Sequence, residues 1–141
     1  VQNYDDLQDF SDWPGWLQLC GEEDSQIISS APCPVIKALQ WNKDEVKSLD
    51  TSDHIEAILI DGSTGGLGEM FDIDSLEKII DTLKKPIIVA GGLTPTNVAE
   101  VIKKVHPSAV DVSSGIESSR GVKDIALMCE FIEAVIQTRD A

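Results

Sequence analysis

Bases are scarce in this sequence: 11 Lys and Arg stand against 25 Asp and Glu in 141 residues, for a net charge of −14. Nucleic-acid backbones demand clustered Lys and Arg, so nucleic acid is excluded as a general partner. The excess of acid reads as solubility. It also requires any phosphate site to be local, built from backbone dipoles and at most one basic side chain. No apolar run reaches the length that crosses a bilayer, so no membrane span is expected. Cysteine is sparse too: Cys20, Cys33 and Cys129 make an odd count with no CxxC spacing. That argues against a disulfide framework or a zinc site, and no metal is expected. It points to a reducing compartment, the cytoplasm or a reducing organelle stroma or matrix. A starting Met and a signal-peptide pattern are both missing. The opening Val1-Gln2-Asn3-Tyr4 reads as the middle of something longer. No linker or low-complexity stretch divides the chain. The expectation is a single domain over residues 1–141, incomplete at its N-terminus.

What is present is a regular alternation. Three short apolar runs lack polar alternation and read as strands buried on both faces. They are Ala57–Asp61 with Gly62, Pro86–Gly92, and Ala109–Val112 followed by Ser113-Ser114-Gly115. Leu17–Gly21 and Val35–Leu39 add two more, making five. Helical stretches separate them. Asp24 to Ser30 has an acidic N-terminal end and Asn42 is placed to cap Asp44–Leu49. Ile73 to Leu83 carries Leu76, Ile79 and Ile80 on one face, with Asp72 or Asp74 as candidate caps. Thr94-Pro95 is read as a helix start before Val98, Val101, Ile102 and Val105. A final helix is expected to bury Ile125, Met128, Phe131, Ile132 and Val135. A weak stripe at Tyr4, Leu7 and Phe10 precedes them all. Alternating buried strands and helices predict an α/β fold with a parallel sheet, a (β/α) TIM-barrel-type fold built as a partial barrel of about five βα units.

In such sheets the functional residues lie beyond the carboxyl ends of the strands. Asp61 stands at one such end, before the glycine-rich stretch Gly62–Asp72. A carboxylate there is a general acid or base, or else a loop-capping side chain. The turns Gly91-Gly92-Leu93-Thr94-Pro95 and Ser113-Ser114-Gly115 can each present free N–H groups to an anion. Two such turns on successive final strands form a common phosphate site. Asp111, two residues before the serines, either bonds a sugar hydroxyl or fixes the turn from within. Lys123 and Arg120, the nearest bases, read as solvated charges, as do His54 and His106. Trp13, Trp16 and Trp41 read as packing.

These residues resemble a known family. Asp61 with Gly65-Gly66-Leu67-Gly68 and Phe71-Asp72 resembles the acid and glycine-loop motif of phosphoribosylanthranilate isomerase. Ala90-Gly91-Gly92-Leu93-Thr94-Pro95 with Asn97-Val98 is similar to that family's AGGL-x-P-x-NV motif. Val110-Asp111-Val112-Ser113-Ser114-Gly115-Ile116-Glu117 with Gly121-Val122-Lys123-Asp124 resembles its VDVSSGVE…G-x-KD ending. Leu17-Gln18-Leu19 before Gly21-Glu22 is similar to its QLHG-E strand. The motifs occur together, in order, over nearly the whole chain from about Leu17.

The resemblance implies a (β/α)8 barrel of tryptophan biosynthesis that carries N-(5′-phosphoribosyl)anthranilate through an Amadori rearrangement, with no cofactor. It implies Asp61 as general acid, the Gly91-Gly92-Leu93 and Ser113-Ser114-Gly115 turns as the phosphate grip, and Asp111 facing the substrate. This sequence supplies about the last five of the eight strands. The family's general base, a cysteine on the first strand, has no counterpart here, nor does the arginine that meets the anthranilate carboxylate. Cys20 stands where the family has histidine, and Glu69 where lysine is frequent. The alternative is an inactive relative kept as a phosphate-binding or structural subunit. A five-stranded barrel sheet leaves open edges. The expected partners are therefore a phosphoribosyl small molecule and either a second copy or a partner chain covering the edge near Leu17–Leu19.

Overall fold

The computed structural model of the chain describes Leu7, residues 9–62 and residues 73–138. Asp72 and the glycine stretch 63–71 lie outside those residues, as does Tyr4. Five strands form one all-parallel sheet in chain order: β1 Leu17–Leu19, β2 Val35–Gln40, β3 Ala57–Asp61, β4 Ile87–Ala90 and β5 Ala109–Val110. Helices α1 Ser25–Ser29, α2 Lys43–Asp50, α3 Ile73–Glu77 and α4 Val98–Val105 connect them, and α5 Ile125–Gln137 follows. This is the expected α/β, barrel-type alternation. No described helix is long and apolar enough to cross a membrane.

The period of two along each strand divides the sheet into two cores. One face carries Leu19, Ile58, Ile60, Ile87 and Val89, which join Val46, Leu76, Val98, Val101, Val105 and Phe131 from the helices in the main cluster. The opposite face is smaller: Ala38, Leu59 and Ala90 are buried together, with Ile36 and Ile88 against them. Register pairs Ala38 with Leu59, Leu59 with Ile88, and Asp61 with Ala90. Asp61 therefore ends the row that forms this second, small-residue face.

Local signals set several boundaries. Asp24 caps α1, accepting from the Gln26 and Ile27 amides at 2.9 Å each. Asn42 caps α2, accepting from Asp44 and Glu45. Asp124 caps α5, accepting from Ala126 and Leu127.

Elsewhere the structure departs from expectation. Ile73 to Leu83 is not one helix: α3 stops at Glu77, and a 3₁₀ turn covers Ile80–Thr82. The Thr82 hydroxyl and amide both bond the Ile79 carbonyl, so tight i→i+3 contacts displace the helical ladder there. Asp74 lies inside the first turn of α3 and pairs with Lys104 instead of capping. Thr94-Pro95 does not start a helix. α4 begins at Val98, because the Asn97 side chain accepts from the Thr94 amide at 2.8 Å and donates to the Gly92 carbonyl at 2.9 Å. β5 has two residues, although the Asp111 amide extends its ladder by bonding the Val89 carbonyl at 2.9 Å. Beyond the Ser114–Ile116 3₁₀ turn, an unforeseen hairpin pairs β6 Glu117–Ser119 with β7 Val122–Lys123. Trp13 and Trp16 are half exposed and only Trp41 packs against the core.

The largest departure is in α5. Phe131 is buried, and Leu127, Ala134 and Val135 pack on the core. Ile125 is 79% exposed, Met128 38%, Ile132 54% and Ile136 51%. α5 therefore has two apolar faces, and among the described residues only one is covered.

Candidate functional site

The strand ends converge as parallel topology requires. A cleft of about 140 Å³ is lined by Asp61, Gly91, Gly92, Leu93, Asp111, Ser113, Ser114 and Gly115, together with Ala90 and Val112. Every residue singled out in the sequence for catalysis or phosphate contact lies on this one wall. Asp61 comes from the end of β3, where the Gly62 amide still bonds the Ala90 carbonyl at 2.9 Å and holds β3 against β4. Asp111 comes from the step after β5 and is exposed.

The turn after β4 passes through positive φ twice, at Gly91 (81°) and Gly92 (68°). Side chains rarely adopt that conformation, so the pair is needed for the chain to double back over the strand end. Asn97 braces it through its two bonds to Gly92 and Thr94. Leu93 is 2% exposed, so its side chain belongs to the core and the cleft receives its backbone.

The turn after β5 packs against the first. A Cβ on Gly115 would overlap the Leu93 carbonyl oxygen and lie 2.8 Å from its carbon. Glycine lets the two turns touch backbone to backbone. Ile116, buried, anchors the second turn beneath the cleft.

Lys123 is not a free surface charge. Its ammonium donates to the Ser113 carbonyl at 2.8 Å, to Ser113 Oγ at 3.3 Å and to Glu117 Oε1 at 2.8 Å. Glu117 also accepts from the Gly121 amide at 2.9 Å. The Lys123 bond, then the Gly121 amide, hold the Glu117 carboxyl below its ordinary value.

Lys37 went unnoticed in the sequence. Its side chain, 6% exposed, leaves β2 on the helix-facing side. It donates to the Gly21 carbonyl at 2.6 Å and to Glu23 at 2.8 Å, fastening the turn after β1. Burial raises the Glu23 pKa, but the Lys37 hydrogen bond and the backbone amides of Glu23 and Gly21 outweigh it and leave the carboxyl below its usual range. The available signal was a lone lysine inside the apolar run Val35–Leu39. Cys20 sits in that turn, exposed, and lines a different hollow with Lys37, Gln40 and Trp41.

Chemically the Asp61 cleft offers a carboxylate and two adjoining turns rich in backbone N–H groups. Such turns suit a phosphate dianion. A carboxylate a short way off suits proton transfer to a sugar oxygen.

The profile of the N-(5′-phosphoribosyl)anthranilate (PRA) isomerase family matches residues 13–134. The N-(5′-phosphoribosyl)anthranilate isomerase of Marinomonas sp. is 46% identical over 122 residues, covering 82% of this chain and 58% of that protein. The phosphoribosyl anthranilate isomerase of Thermotoga maritima superposes with a TM-score of 0.81 at 29% identity, covering 97% of this chain and 70% of that one. A phosphoribosyl anthranilate isomerase in complex with reduced 1-(O-carboxyphenylamino)-1-deoxyribulose 5-phosphate superposes with a TM-score of 0.77 at 28% identity, covering 97% and 69% respectively. The chain spans about three fifths of the length of the curated relatives it matches.

Proposed function

Because the chain belongs to the N-(5′-phosphoribosyl)anthranilate isomerase family, we propose that it supplies the acid and phosphate half of an active site that isomerises N-(5′-phosphoribosyl)anthranilate in tryptophan biosynthesis. The observation that carries this reading is the convergence of Asp61 and both glycine and serine turns on one cleft. The 5′-phosphate docks against the amides of the Gly91-Gly92-Leu93 and Ser113-Ser114-Gly115 turns. Asp61 donates a proton to the ribose ring oxygen. The bond between that oxygen and C1′ breaks, leaving a Schiff base with the anthranilate nitrogen. Removal of the C2′ proton gives an enolamine, which becomes the ketone. Asp111 faces the sugar hydroxyls. A relative holds a reduced form of the ketone product, which fits a cleft of this chemistry.

The residue that takes the C2′ proton is assigned to a strand this sequence does not contain. The active species is therefore this chain joined to three further βα units, which cover the outer edge of β1 and the exposed face of α5. The three unpaired cysteines suit a reducing compartment.

The test is turnover of N-(5′-phosphoribosyl)anthranilate by the chain alone and mixed with the first three βα units of a family member. Activity in the mixture, lost with Asp61→Asn, supports the reading. An inactive mixture that still binds phosphate at the two turns overturns the catalytic assignment in favour of a binding subunit.

A further inference from the structure

We propose that Lys123 is a positioning residue for phosphate: from the β6–β7 hairpin it sets the orientation of the Ser113 hydroxyl and peptide at the cleft. The inference rests on the phosphate reading of that cleft and assigns a role to a side chain outside its lining. A lysine ammonium has three donors and no acceptor. Here all three have an oxygen within reach: the Ser113 carbonyl, Ser113 Oγ and Glu117 Oε1. Two consequences follow from this donor count. The Ser113 carbonyl, drawn toward Lys123, fixes the peptide that leads into the Ser114–Ile116 turn, and so fixes where the Ser114 amide points. Ser113 Oγ, accepting from Lys123, has its own hydrogen left to give. Ser113 lines the cleft, so that hydrogen is available to a phosphate oxygen. The ammonium is paired with Glu117, and its ionised donors strengthen its hydrogen bonds to Ser113.

Glu117 is the counterpart that keeps Lys123 in place. Its two oxygens are divided between Lys123 and the Gly121 amide. The hairpin turn, with Gly121 at φ 81°, is thus tied to the same carboxylate. Lys123 is then held by its neighbours and needs no ordering when phosphate arrives, which reduces the entropy lost on binding.

The experiment is titration of the chain with inorganic phosphate, followed by the amide resonances of Ser113, Ser114 and Gly115, for wild type, Lys123→Met, Lys123→Arg and Ser113→Ala. Wild type is expected to bind, Lys123→Met to bind about tenfold more weakly or worse, and Lys123→Arg to recover most of the loss. Ser113→Ala is expected to weaken binding, and the double variant Lys123→Met/Ser113→Ala to lose less than the two single losses combined, because Lys123 acts in part through the Ser113 hydroxyl. The unfolding midpoint of Lys123→Met is expected to fall only slightly, since the side chain is 43% exposed and pairs of that exposure contribute little. Phosphate affinity unchanged in Lys123→Met, with wild type binding, overturns the inference and leaves the phosphate reading standing. Additive losses in the double variant overturn it as well. A wild-type chain whose two turns do not respond to phosphate overturns the reading itself.

Discussion

Gly115 rests against the backbone of Leu93, with no room for a single added carbon. The contact joins the turn after β5 to the turn after β4 and makes one wall of the cleft from two strand ends. Gly115→Ala is expected to push the turns apart. The strain is overpacking against a peptide that cannot rotate away, at about 1–3 kcal/mol. Thermal unfolding and phosphate titration check it: the unfolding midpoint should fall and phosphate affinity should fall with it.

Asp61→Asn, in the chain joined to three further βα units, is expected to lower turnover by about 10²–10⁴-fold, the usual contribution of a positioned general acid. Substrate-analogue affinity should change little, because the turns proposed to hold the phosphate follow other strands. Equal losses in both measurements would make Asp61 a binding group.

Glu117 gives a pH prediction with a definite sign. Its carboxyl is held below the ordinary 4.5 by Lys123 and the Gly121 amide. The Lys123–Glu117 pair is therefore fully formed above the ordinary value, and its contribution is lost as pH falls through the lower, folded one. Carbon-detected titration should place the Glu117 midpoint below 4.5 in wild type. In Lys123→Met it should move up toward that value.

The two faces of α5 should answer differently to substitution. Phe131→Ala removes a buried ring and is expected to cost about 3–5 kcal/mol. Ile125→Ser and Ile132→Ser lie on the uncovered face and should leave the stability of this chain within about 0.5 kcal/mol of wild type. In a titration against three complementing βα units, the same two changes should weaken association. Unchanged association would remove α5 from the covered surface.

Much of this was visible in the sequence because the signals were local. An apolar run such as Ile87–Ala90, β-branched and bounded by Pro86 and Gly91, reads as a buried strand, and Asp24, Asn42 and Asp124 precede helices within capping reach. The cleft was legible because parallel topology sends every strand end to the same side. Asp61, Gly92 and Ser114 could be grouped without knowing any distance between them. What was not legible depended on partners far along the chain or outside it. Lys123 looked solvated because its acceptors, Ser113 and Glu117, are brought to it by a hairpin with a weak strand pattern. Lys37 meets Glu23 across 14 positions. The helix expected at Thr94 was displaced by one amide, Asn97, turning back to Gly92. The apolar face of α5 was read as core because its spacing is that of a core. The sequence carries the hydrophobicity of that face and does not say what covers it.

Because strand order in the sheet equals strand order in the chain, every ladder joins neighbours in synthesis. Each βα unit that leaves a ribosome finds its pairing partner already made, and no strand waits for a later one to be inserted beside it. The order permits pairing to proceed from β1 to β5 as the chain emerges. A sheet that grows by addition at one border can also be interrupted at a border without disturbing the pairs already formed.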